Sequence, residues 1–595
     1  MVLRFSLKGA CDISFFAMKI LLIYPYFLEK RIDEQDIGAP PMGLFYVGAM
    51  LKKHGHAVDI LNLNRQRLSA VEIKKEISKS APDLIGFSIL HANRWGGIDV
   101  ASLAREVVPD APIVFGGVGA TFLWKFLLTH FKQIDYAISG EGEYSFLNLV
   151  ECIEKKETDQ IRHITGVAFW DKGKICYAGD SEFINDLDAL PSPADYFTFQ
   201  HLSVSRGCPE NCAFCASPKL WKRRTRFHSA DYFVGMVEAL FRKGVTFFYV
   251  SDDNFTLKKS LAMDICRKII EKKLPVSWVA ISRADRVDEQ VLKWMKKAGC
   301  IQVSYGIESG NDAIRKKFNK NLKKKDIRNA FAWTSKWGMM ARAYFIYGSP
   351  GETWESVEDS INLMKEIKPL GMIAYMLALF PGTALYDEWV KKENINEDIW
   401  LKRMEDILCF QTDGALTEER VVGFGEKIRS GFYQNLPGFA QAISASHDAC
   451  FGRGPCDFHR DAHPDFRPEF YADFYSRLAM TFSHGDYSKR DEIPESDATA
   501  QRLYEISLSW HPDHRAYLGL GVIRQKNMEF EESIEILEKG AVHYPASEPL
   551  AICLGISHMN AGHTREAMAC FEKFPDSPQA AGYLELCRQT AAPDQ

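Results

Sequence analysis

Three cysteines stand close together in one short segment of the chain. Cys208, Cys212 and Cys215 have the spacing C-x3-C-x2-C within SRGCPENCAFCASPKLW, directly after the predicted strand HLSVS. Three thiolates on one loop can ligate three irons of a [4Fe-4S] cluster and leave the fourth iron without a protein ligand. An open coordination position distinguishes a catalytic metal centre from a closed structural one. A zinc knuckle would need a fourth ligand close by, but the nearest histidine, His228, lies 13 residues further on, so the triplet predicts iron–sulfur chemistry.

The composition is that of an ordinary globular protein. The 595 residues are 46% hydrophobic and 25% charged, which is enough for about four domains of roughly 150 residues each. The formal net charge of −5 predicts no broad basic face, so we expect neither nucleic acid nor an anionic membrane as a partner. No run reaches the ~18 apolar residues of a membrane span. Fourteen cysteines are too few for a disulfide scaffold, which favours a reduced, cytoplasmic protein with one dedicated cysteine site.

The amino-terminal part alternates short apolar runs with helical patterns. We place a domain over residues 18–150, because strands that alternate with helices predict a doubly wound parallel sheet of Rossmann type. Residues 1–17 loosely resemble a secretion signal, but charged residues interrupt the apolar core. We interpret this segment as an extension, or as the result of a start site that truly lies at Met18. Residues 151–200 predict a small hairpin and an Asp- and Pro-rich linker.

A second α/β series is predicted over residues 201–392. Six apolar strands alternate there with amphipathic helices, and their sequences are HLSVS, TFFYVS, VSWVAIS, IQVSYGI, RAYFIYG and IAYMLAL. Six strand–helix units predict a partial barrel related to the eight-unit TIM barrel, with its chemistry at the carboxyl ends of the strands. Residues 393–496 are expected to form a helical region after this barrel.

An internal repeat is predicted over residues 497–595. Leu520-Gly521 recurs as Leu554-Gly555, a spacing of 34, and Leu537 aligns with Phe571 in the same frame. The period and the positions of small residues are typical of the tetratricopeptide helix pair, which favours an all-α carboxy-terminal region. The alternative is an ordinary helical bundle.

The cysteine triplet and the predicted barrel together resemble the radical S-adenosylmethionine (radical SAM) enzymes. In that family the open iron binds the amino and carboxylate groups of SAM, and one electron cleaves SAM to methionine and a 5′-deoxyadenosyl radical. That radical removes a hydrogen atom from the substrate. The resemblance implies that Cys208, Cys212 and Cys215 are the catalytic ligands of a [4Fe-4S] cluster. It also implies SAM as a cofactor and an electron donor such as flavodoxin or ferredoxin as a partner.

Residues near the triplet and after the second strand agree with this resemblance. Phe214 matches the aromatic residue that lies against the adenine of SAM. The sequence SDDNF stands where many members carry Gly-Gly-Glu, a departure that leaves open whether Asp252 or Asp253 contacts the SAM amino group. A carboxylate there makes physical sense, because it can accept hydrogen bonds from an ammonium.

The later strands carry corresponding motifs at their ends. Arg283 follows the third strand, and a guanidinium suits the SAM carboxylate. Glu308 in YGIES matches the residue that binds the ribose hydroxyls, and the resemblance implies further cofactor contacts at Gly348 in GSPGET and Pro381 in FPGT. A Gly-Pro turn after a strand is usually only a turn, but six motifs in register after six strands are hard to obtain by chance.

The glycine-rich motifs of the first domain are PPMGL (40–44), GGVGAT (116–121) and GEGE (140–143). They lie after strands, where the backbone must approach a large ligand closely. In front of a radical SAM barrel they resemble the cobalamin-binding domain of the B12-dependent class, and the resemblance covers Met18 to about residue 475. Alternatives are an unrelated doubly wound domain, or one that has lost cobalamin and only supports the barrel. The resemblance implies cobalamin contacts at Pro41, Gly43, Gly116, Gly117, Thr121, Gly140 and Glu141.

No histidine is expected to ligate cobalt from these motifs. The Asp-x-His-x-x-Gly motif of methionine-synthase-type domains is missing after the first strand, and Gly119 stands where many radical SAM relatives carry a histidine. His91 is the nearest alternative and stays unassigned, because a lone loop histidine is more often solvated than a ligand.

A second group of possible ligands follows the barrel. Its spacing, H-x2-C-x5-C-x2-H-x3-H, could hold a metal. It could equally be a histidine-rich loop, since no flanking strand or knuckle pattern supports a zinc module. The residues are His447, Cys450, Cys456, His459 and His463.

The resemblance as a whole implies a cobalamin-dependent radical SAM enzyme, most simply a C-methyltransferase that acts on an unactivated carbon. The enzymatic alternative is a cobalamin radical SAM enzyme that forms a ring or rearranges a skeleton. The non-enzymatic alternative is a repeat scaffold, against which the intact triplet, Arg283 and Glu308 count. The substrate stays open among a lipid, a natural product, an amino acid and a peptide, and the repeats favour a protein or peptide partner.

Overall fold

The computed structural model describes residues 17–29, 41–66, 68–451 and 467–591. The chain divides into two compact units, each built from two separate stretches of sequence. The first unit contains the residues up to Asp253 together with Ala378–Thr412, and the second contains Asn254–Leu377 together with the residues from Asp413 onward. Within the described ranges, no helix has both the length and the apolar character that a membrane crossing requires.

The first unit is built on a seven-stranded sheet with the order β2-β1-β3-β4-β5-β6-β7. The first five strands run parallel, and β6 and β7 are antiparallel. The predicted doubly wound sheet therefore forms, and the predicted hairpin extends it instead of standing apart from it. The strands are β1 (Lys19–Tyr24), β2 (Ala57–Asn62), β3 (Leu84–Ser88), β4 (Ile113–Gly116), β5 (Tyr136–Ile138), β6 (Val167–Asp171) and β7 (Lys174–Tyr177).

Helices cover this sheet and make its central strands fully buried. Ile20 to Tyr24 of β1 are each at most 3% exposed, as expected for a strand that is covered on both faces. The chain order reverses between β1 and β3, which marks the crevice at the carboxyl ends of these strands as the ligand-binding edge of such a sheet. The connecting helices are Met42–Lys53, Ala70–Ser80, Arg94–Val107, Gly117–His130 and Gly142–Glu154.

The segment predicted as the strand HLSVS is divided in two. β8 (His201–Leu202) pairs in parallel with β11 (Phe247–Val250), whereas β9 (Ser205–Arg206) pairs antiparallel with β10 (Arg226–Phe227). The break falls where the backbone N–H groups of Val204 and Ser205 donate to the Asp252 carboxylate instead of to a neighbouring strand. The residues before the cysteines thus leave the sheet.

The second unit begins with a parallel sheet of four strands that follow one another in chain order. They are β12 (Ser277–Ser282), β13 (Cys300–Glu308), β14 (Met340–Tyr347) and β15 (Gly371–Met376). The predicted strand IAYMLAL ends early, because Ala378–Leu379 forms a separate strand, β16, that pairs antiparallel with β17 (Ile407–Leu408). The helices are Lys259–Glu271, Glu289–Lys297, Asp312–Lys317, Lys324–Lys336 and Trp354–Ile367.

A long helix, Glu418–Phe451, passes along the side of this second sheet. Its 34 residues span roughly 50 Å at 1.5 Å per residue. Near its start Val421 lies against Gly348, which follows β14. Near its end His447 reaches the carbonyl of Ser335 at 2.7 Å, shortly before β14 begins. The helix therefore connects the carboxyl ends of the strands with their amino ends.

The next helix, Pro468–Ser483, rests on the amino-terminal ends of the strands. Tyr471 donates to the carbonyl of Lys336 at 2.9 Å, and Arg477 donates to the hydroxyl of Ser277 at 3.2 Å. Ser277 opens β12, and Lys336 precedes β14. The carboxy-terminal helices consequently attach to the opposite end of the sheet from its carboxyl edge.

The last helices repeat with a period that matches the predicted one. The helices His514–Lys526 and Glu548–Asn560 begin 34 residues apart, as do Phe530–His543 and Thr564–Phe571. A Cβ at Gly521 would lie 2.6 Å from Leu537, and one at Gly555 would lie 2.5 Å from Phe571. Each glycine therefore lets two helices approach where a side chain would separate them. Ser496–Trp510 precedes these pairs and Pro578–Ala591 follows them.

Candidate active site

The three cysteines lie on a tight loop that begins at Gly207. This glycine has φ +100°, and a Cβ there would lie 2.1 Å from the carbonyl oxygen of Arg224, so the turn requires glycine. None of the three cysteines forms a disulfide within the described residues, and the N–H of Cys215 donates to the carbonyl of Cys212 at 3.2 Å. The loop thus presents three soft sulfur donors within one turn, the donor set that an iron–sulfur cluster takes.

The thiols influence one another electrostatically. Burial raises the pKa of the Cys208 thiol and raises that of Cys215 to about 12, and the neighbouring cysteines add to both shifts. Iron binding would replace these protons, because thiolates are the ligands. Among the described residues, no three His, Cys, Asp or Glu side chains already surround a common point for a metal ion.

Asp252 fastens the chain in front of the cysteine loop. Its carboxylate accepts from the N–H groups of Val204 at 3.0 Å and Ser205 at 2.6 Å, and also from the Ser205 hydroxyl. The residue is 1% exposed, and burial raises the pKa of its carboxyl group to about 6. These contacts support a structural role: Asp252 stabilises the break between β8 and β9, where the chain leaves the sheet before the cysteine loop.

Asp253, its neighbour in sequence, lies on the side of the cysteines. Its carboxylate accepts from the hydroxyl of Ser217 at 2.5 Å, two residues after Cys215. Its charge contributes to the raised pKa of both Cys208 and Cys215. The contacts thus distinguish two aspartates that the sequence left equivalent, and they place Asp253 beside the thiols.

Arg283 is fixed at the carboxyl end of β12. Its guanidinium donates to both carboxylate oxygens of Asp285, from Nε at 3.0 Å and from Nη2 at 3.1 Å. The backbone N–H of Arg283 donates to Asn254 at 3.3 Å. A bidentate pair of this kind sets the plane of the guanidinium, so the cation predicted for the SAM carboxylate is oriented in advance.

Glu308 ends β13 in a strained conformation. Its φ is +67°, a left-handed value that is uncommon for a residue with a side chain and that concentrates at functional sites. Its carboxylate accepts from Lys320 Nζ at 2.8 Å, and both side chains are less than 10% exposed. A Cβ at Gly306 would lie 2.4 Å from Glu308 Oε1 and 2.9 Å from Lys320 Nζ. Gly306 therefore provides the space for this buried ion pair.

The turn after β14 is built around Gly348, which has φ +80°. The N–H groups of Gly348 and Ser349 both donate to the carboxylate of Glu352, which is 3% exposed. Burial raises the pKa of Glu352 to about 7. The sequence predicted a role for Gly348 but none for Glu352 or Lys320. The spacing within GSPGE could have indicated that Glu352 accepts hydrogen bonds from the turn, but no sequence signal indicated Lys320.

Pro381 lies in a turn between the cysteine loop and the first sheet. The N–H of Leu385 donates to the carbonyl of Ala213 at 3.1 Å, next to the half-buried Phe214. A Cβ at Gly382 would lie 2.5 Å from the ring of Phe122 in the helix Gly117–His130. The turn thus joins the cysteine loop to the helix that begins within the GGVGAT motif.

The glycines in the motifs of the first sheet differ in how much space surrounds them. Among the described residues, a Cβ at Gly43 would meet nothing within 4 Å, and one at Gly116 would meet only a carbonyl at 3.8 Å. Within this part of the chain, both positions leave room for a ligand close to the backbone. Pro41 directly precedes the helix that carries Gly43. Cobalamin, a large ligand that lies along loop backbone, fits these positions. Thr121 accepts from the N–H of Gly140 at 3.0 Å and ties two of the motifs together.

The position of Gly119 cannot hold a side chain. A Cβ there would lie 2.6 Å from the carbonyl carbon of Leu90 and 2.9 Å from the nitrogen of His91. Gly117, with φ +87°, is packed against Ile89 in the same way. The loops after β3 and β4 are therefore in direct contact, which explains physically why no histidine stands at residue 119.

His91 is enclosed by aromatic rings within the first unit. Its ring centroid lies 4.2 Å from that of Trp400 and 6.3 Å from that of Phe380, and its Nε2 lies 3.2 Å from Arg94. Arg94 also donates to the carbonyls of His91, Met404 and Glu405. Burial lowers the pKa of His91 well below its usual range. The ring packs in the interior, and among the described residues its Nδ1 has no hydrogen-bond partner.

Glu141, predicted to contact the cofactor, has other partners in the structure. Its carboxylate accepts from Arg206 at 2.6 Å, from Arg226 at 2.5 Å and from the N–H of Ile184 at 2.8 Å. The side chain is 2% exposed. Its oxygens are thus occupied by protein donors, a set of partners that no local sequence pattern predicts.

The predicted His/Cys cluster after the barrel is only partly described. His447 donates from Nε2 to the carbonyl of Ser335, so its Nδ1 accepts from the hydroxyl of Tyr475 at 2.7 Å. Both nitrogens are occupied, and His447 belongs to the core. Cys450 is exposed. Three of the predicted ligands, Cys456, His459 and His463, lie outside the described residues.

Comparison with known proteins matches two regions of the chain. Residues 202–364 match the Radical SAM superfamily, and residues 38–150 match the B12 binding domain. The first range contains the cysteine loop and the strand-end residues Asp253, Arg283, Glu308 and Gly348. The second range contains the three glycine motifs.

Individual relatives agree with both matches. An uncharacterized methyltransferase of Pyrococcus horikoshii is 31% identical over 385 residues, covering 62% of this chain and 83% of that protein. The anaerobic magnesium-protoporphyrin IX monomethyl ester cyclase of Cereibacter sphaeroides is 27% identical over 393 residues, covering 62% of this chain and 63% of that protein. The radical S-adenosylmethionine methyltransferase TsrM of Kitasatospora setae, solved with cobalamin and a [4Fe-4S] cluster bound, has the same fold with a TM-score of 0.57 and 15% identity, over 83% of this chain and 99% of that one.

Proposed function

The chain belongs to the radical SAM superfamily and carries a B12-binding domain, and from this premise we propose that it is a C-methyltransferase acting on an unactivated carbon. Its cofactors are a [4Fe-4S] cluster, SAM and cobalamin. One observation carries the proposal: the cysteine loop is built directly onto the B12-binding domain, through Arg206 on Glu141 and through the Pro381 turn on Phe122. Methyl transfer to a substrate radical needs the two cofactors close together.

When bound, these cofactors supply a 5′-deoxyadenosyl radical and a transferable methyl group. The contribution of the chain is binding and orientation. Cys208, Cys212 and Cys215 hold three irons. Asp253 accepts from the SAM ammonium and Phe214 lies against the adenine.

Further SAM contacts are proposed for residues of the second unit. Arg283, held in plane by Asp285, pairs with the SAM carboxylate. Glu308 accepts from the ribose hydroxyls, and the backbone turn at Gly348 follows the same strand edge. We further propose that the six strands predicted over residues 201–392 are those of the family's partial barrel. We also propose that residues 497–595 form tetratricopeptide-type repeats that bind a protein or peptide partner.

A non-methylating ring closure is the second candidate. It is favoured by the similarity to the anaerobic magnesium-protoporphyrin IX monomethyl ester cyclase. No side chain in the described site separates the two reactions, because the methyl group is carried by a cofactor and not by the protein.

Cobalamin-loaded protein with SAM labelled in its methyl group tests the choice. We expect reduced cobalamin to accept the labelled methyl and to release S-adenosylhomocysteine even without the substrate. With a metabolite extract of the host, labelled product, deoxyadenosine and S-adenosylhomocysteine should then form in equal amounts. Formation of deoxyadenosine without S-adenosylhomocysteine under either condition would favour the non-methylating ring closure. The Cys208→Ala variant, which lacks a cluster ligand, is the control for adventitious SAM breakdown.

The environment of His91 predicts the state of the cobalt. Because its ring is enclosed by Trp400, Phe380 and Arg94, we expect the cob(II)alamin EPR spectrum to lack hyperfine splitting from a lower nitrogen ligand. The measurement is EPR of protein that retains about one cobalamin per chain. A nitrogen pattern that is present in the natural protein, disappears in His91→Ala and persists in the matched His130→Ala variant would contradict this expectation.

A further inference from the structure

A buried ion network connects the GEGE motif with the chain in front of the cysteines. Arg206 donates from Nη1 to Glu141 and from Nη2 to Glu143, each at 2.6 Å. The two carboxylate side chains are 2% and 3% exposed, and that of Arg206 is 12% exposed. One guanidinium therefore bridges two carboxylates that stand two residues apart, a geometry that lysine cannot reproduce.

A second arginine completes the charge balance. Arg226 Nη1 donates to the other oxygen of Glu141 at 2.5 Å and to the carbonyl of Ile184 at 2.6 Å. Within the described residues its Nε and Nη2 have no hydrogen-bond partner. Glu141 is thus the carboxylate that pairs with Arg226. The network contains two arginines and two buried glutamates, so its charges balance.

The network acts on the cysteine loop through a very short connection. Arg206 is the last residue of β9, and only Gly207 separates it from Cys208. β9 pairs with β10, which contains Arg226, and the Arg206 guanidinium also lies 4.9 Å from the ring centroid of Tyr46. Every contact of Arg206 named here is therefore made with the B12-binding domain or with the neighbouring strand.

We propose that Glu141 and Glu143 are positioning residues for the cysteine loop and do not contact cobalamin. This inference rests on the proposed function, since it assigns their role to the cluster. The two buried carboxylates hold the Arg206 side chain in place. Because Arg206 lies two residues before Cys208, they also set the direction in which the backbone enters the loop. A loop that must hold three irons while leaving the fourth open needs such an outer support, because ligand geometry follows from the residues behind the ligands.

The test compares Glu143→Gln, Arg206→Lys and the double variant. In the cluster-free protein we expect faster alkylation of Cys208 in all three, with the exposed Cys450 as an internal reference. In the loaded protein SAM cleavage should fall about 10- to 100-fold, the range typical of lost outer support, while about one cobalamin per chain is retained. The double variant should be no worse than the more affected single one, because both changes break one interaction.

The cluster provides a further readout. Glu143→Gln leaves the Arg206 cation less compensated next to the irons, so the midpoint potential of the cluster should rise, and Glu143→Asp should restore part of the shift. Glu151→Gln, on the exposed side of the same helix, is the matched control and should change neither quantity. Glu141→Gln should have the larger effect, because it removes the partner of two arginines.

Two outcomes would overturn the inference. One is loss of cobalamin in Glu143→Gln with Cys208 alkylation and cluster potential unchanged, which would make the motif a cofactor contact. The other is an additive double variant, which would show that Glu143 and Arg206 act separately. A natural protein that assembles a cluster but never cleaves SAM would instead refute the proposed function, and the alkylation comparison would still decide the positioning role.

Discussion

Replacing Cys208, Cys212 and Cys215 together by alanine should abolish the absorbance of the cluster and all cleavage of SAM, with cobalamin binding retained. The three thiols are the protein ligands that the site offers to iron. The sheet of the first unit has a core built from residues such as Leu22, Val114 and Leu149. None of the three cysteines belongs to this core, so it should form without the cluster. Loss of activity with retained fold is therefore expected.

The measurement is deoxyadenosine formation under reductant, together with the absorbance spectrum and cobalamin content. Cys176→Ala, which removes a free cysteine of β7 outside the loop, is the matched control and should behave as the natural protein does. A triple variant that still produces deoxyadenosine would sink the assignment of the loop.

Changing Glu308 to glutamine should weaken SAM binding by about 10- to 100-fold, because a hydrogen bond to a charged group contributes about 1.5–3 kcal/mol. It should also destabilise the second unit, since Lys320 would keep a buried charge without its partner, at a cost of about 3–5 kcal/mol. Equilibrium binding of SAM to cluster-loaded protein and the midpoint of thermal unfolding measure the two effects.

A second substitution separates binding from folding. Glu308→Gln combined with Lys320→Met removes both charges and should recover most of the stability while SAM binding stays weak. Gly306→Ala should give a similar loss of binding without removing a charge, because the added methyl would overlap Glu308 Oε1. Tight SAM binding by the double variant would show that Glu308 does not reach the ribose.

Local sequence pattern was sufficient for most of the architecture. The buried run from Ile20 to Tyr24 forms the predicted strand, and the spacing of 34 between Gly521 and Gly555 matches the period of the last helices. The cysteine loop was predictable because its ligands lie within eight consecutive residues. What these features share is that their partners are close in sequence or are fixed by periodicity.

Contacts across long sequence distances were not predictable. Asp252 and Asp253 are chemically identical, but successive side chains at a strand end point to opposite sides, so one faces Val204 and Ser205 and the other faces Ser217. Glu141 carried no sign of its partners Arg206 and Arg226, which lie 65 and 85 residues away. The division of HLSVS into two strands has the same origin, because a carboxylate 47 residues later captures its N–H groups.

The attachment of the carboxy-terminal helices limits how a substrate can be delivered. The helix Pro468–Ser483, which precedes them, rests on the ends of β12 and β14 where these strands begin, whereas Arg283, Glu308 and Gly348 stand where the strands finish. A strand of six residues such as β12 is about 20 Å long. A carrier docked on the repeats therefore leaves the mouth of the sheet clear, and a substrate tethered to it must hang from an arm of at least roughly 20 Å. If the proposed repeats do bind a carrier, a long flexible arm suits this layout better than a short rigid attachment.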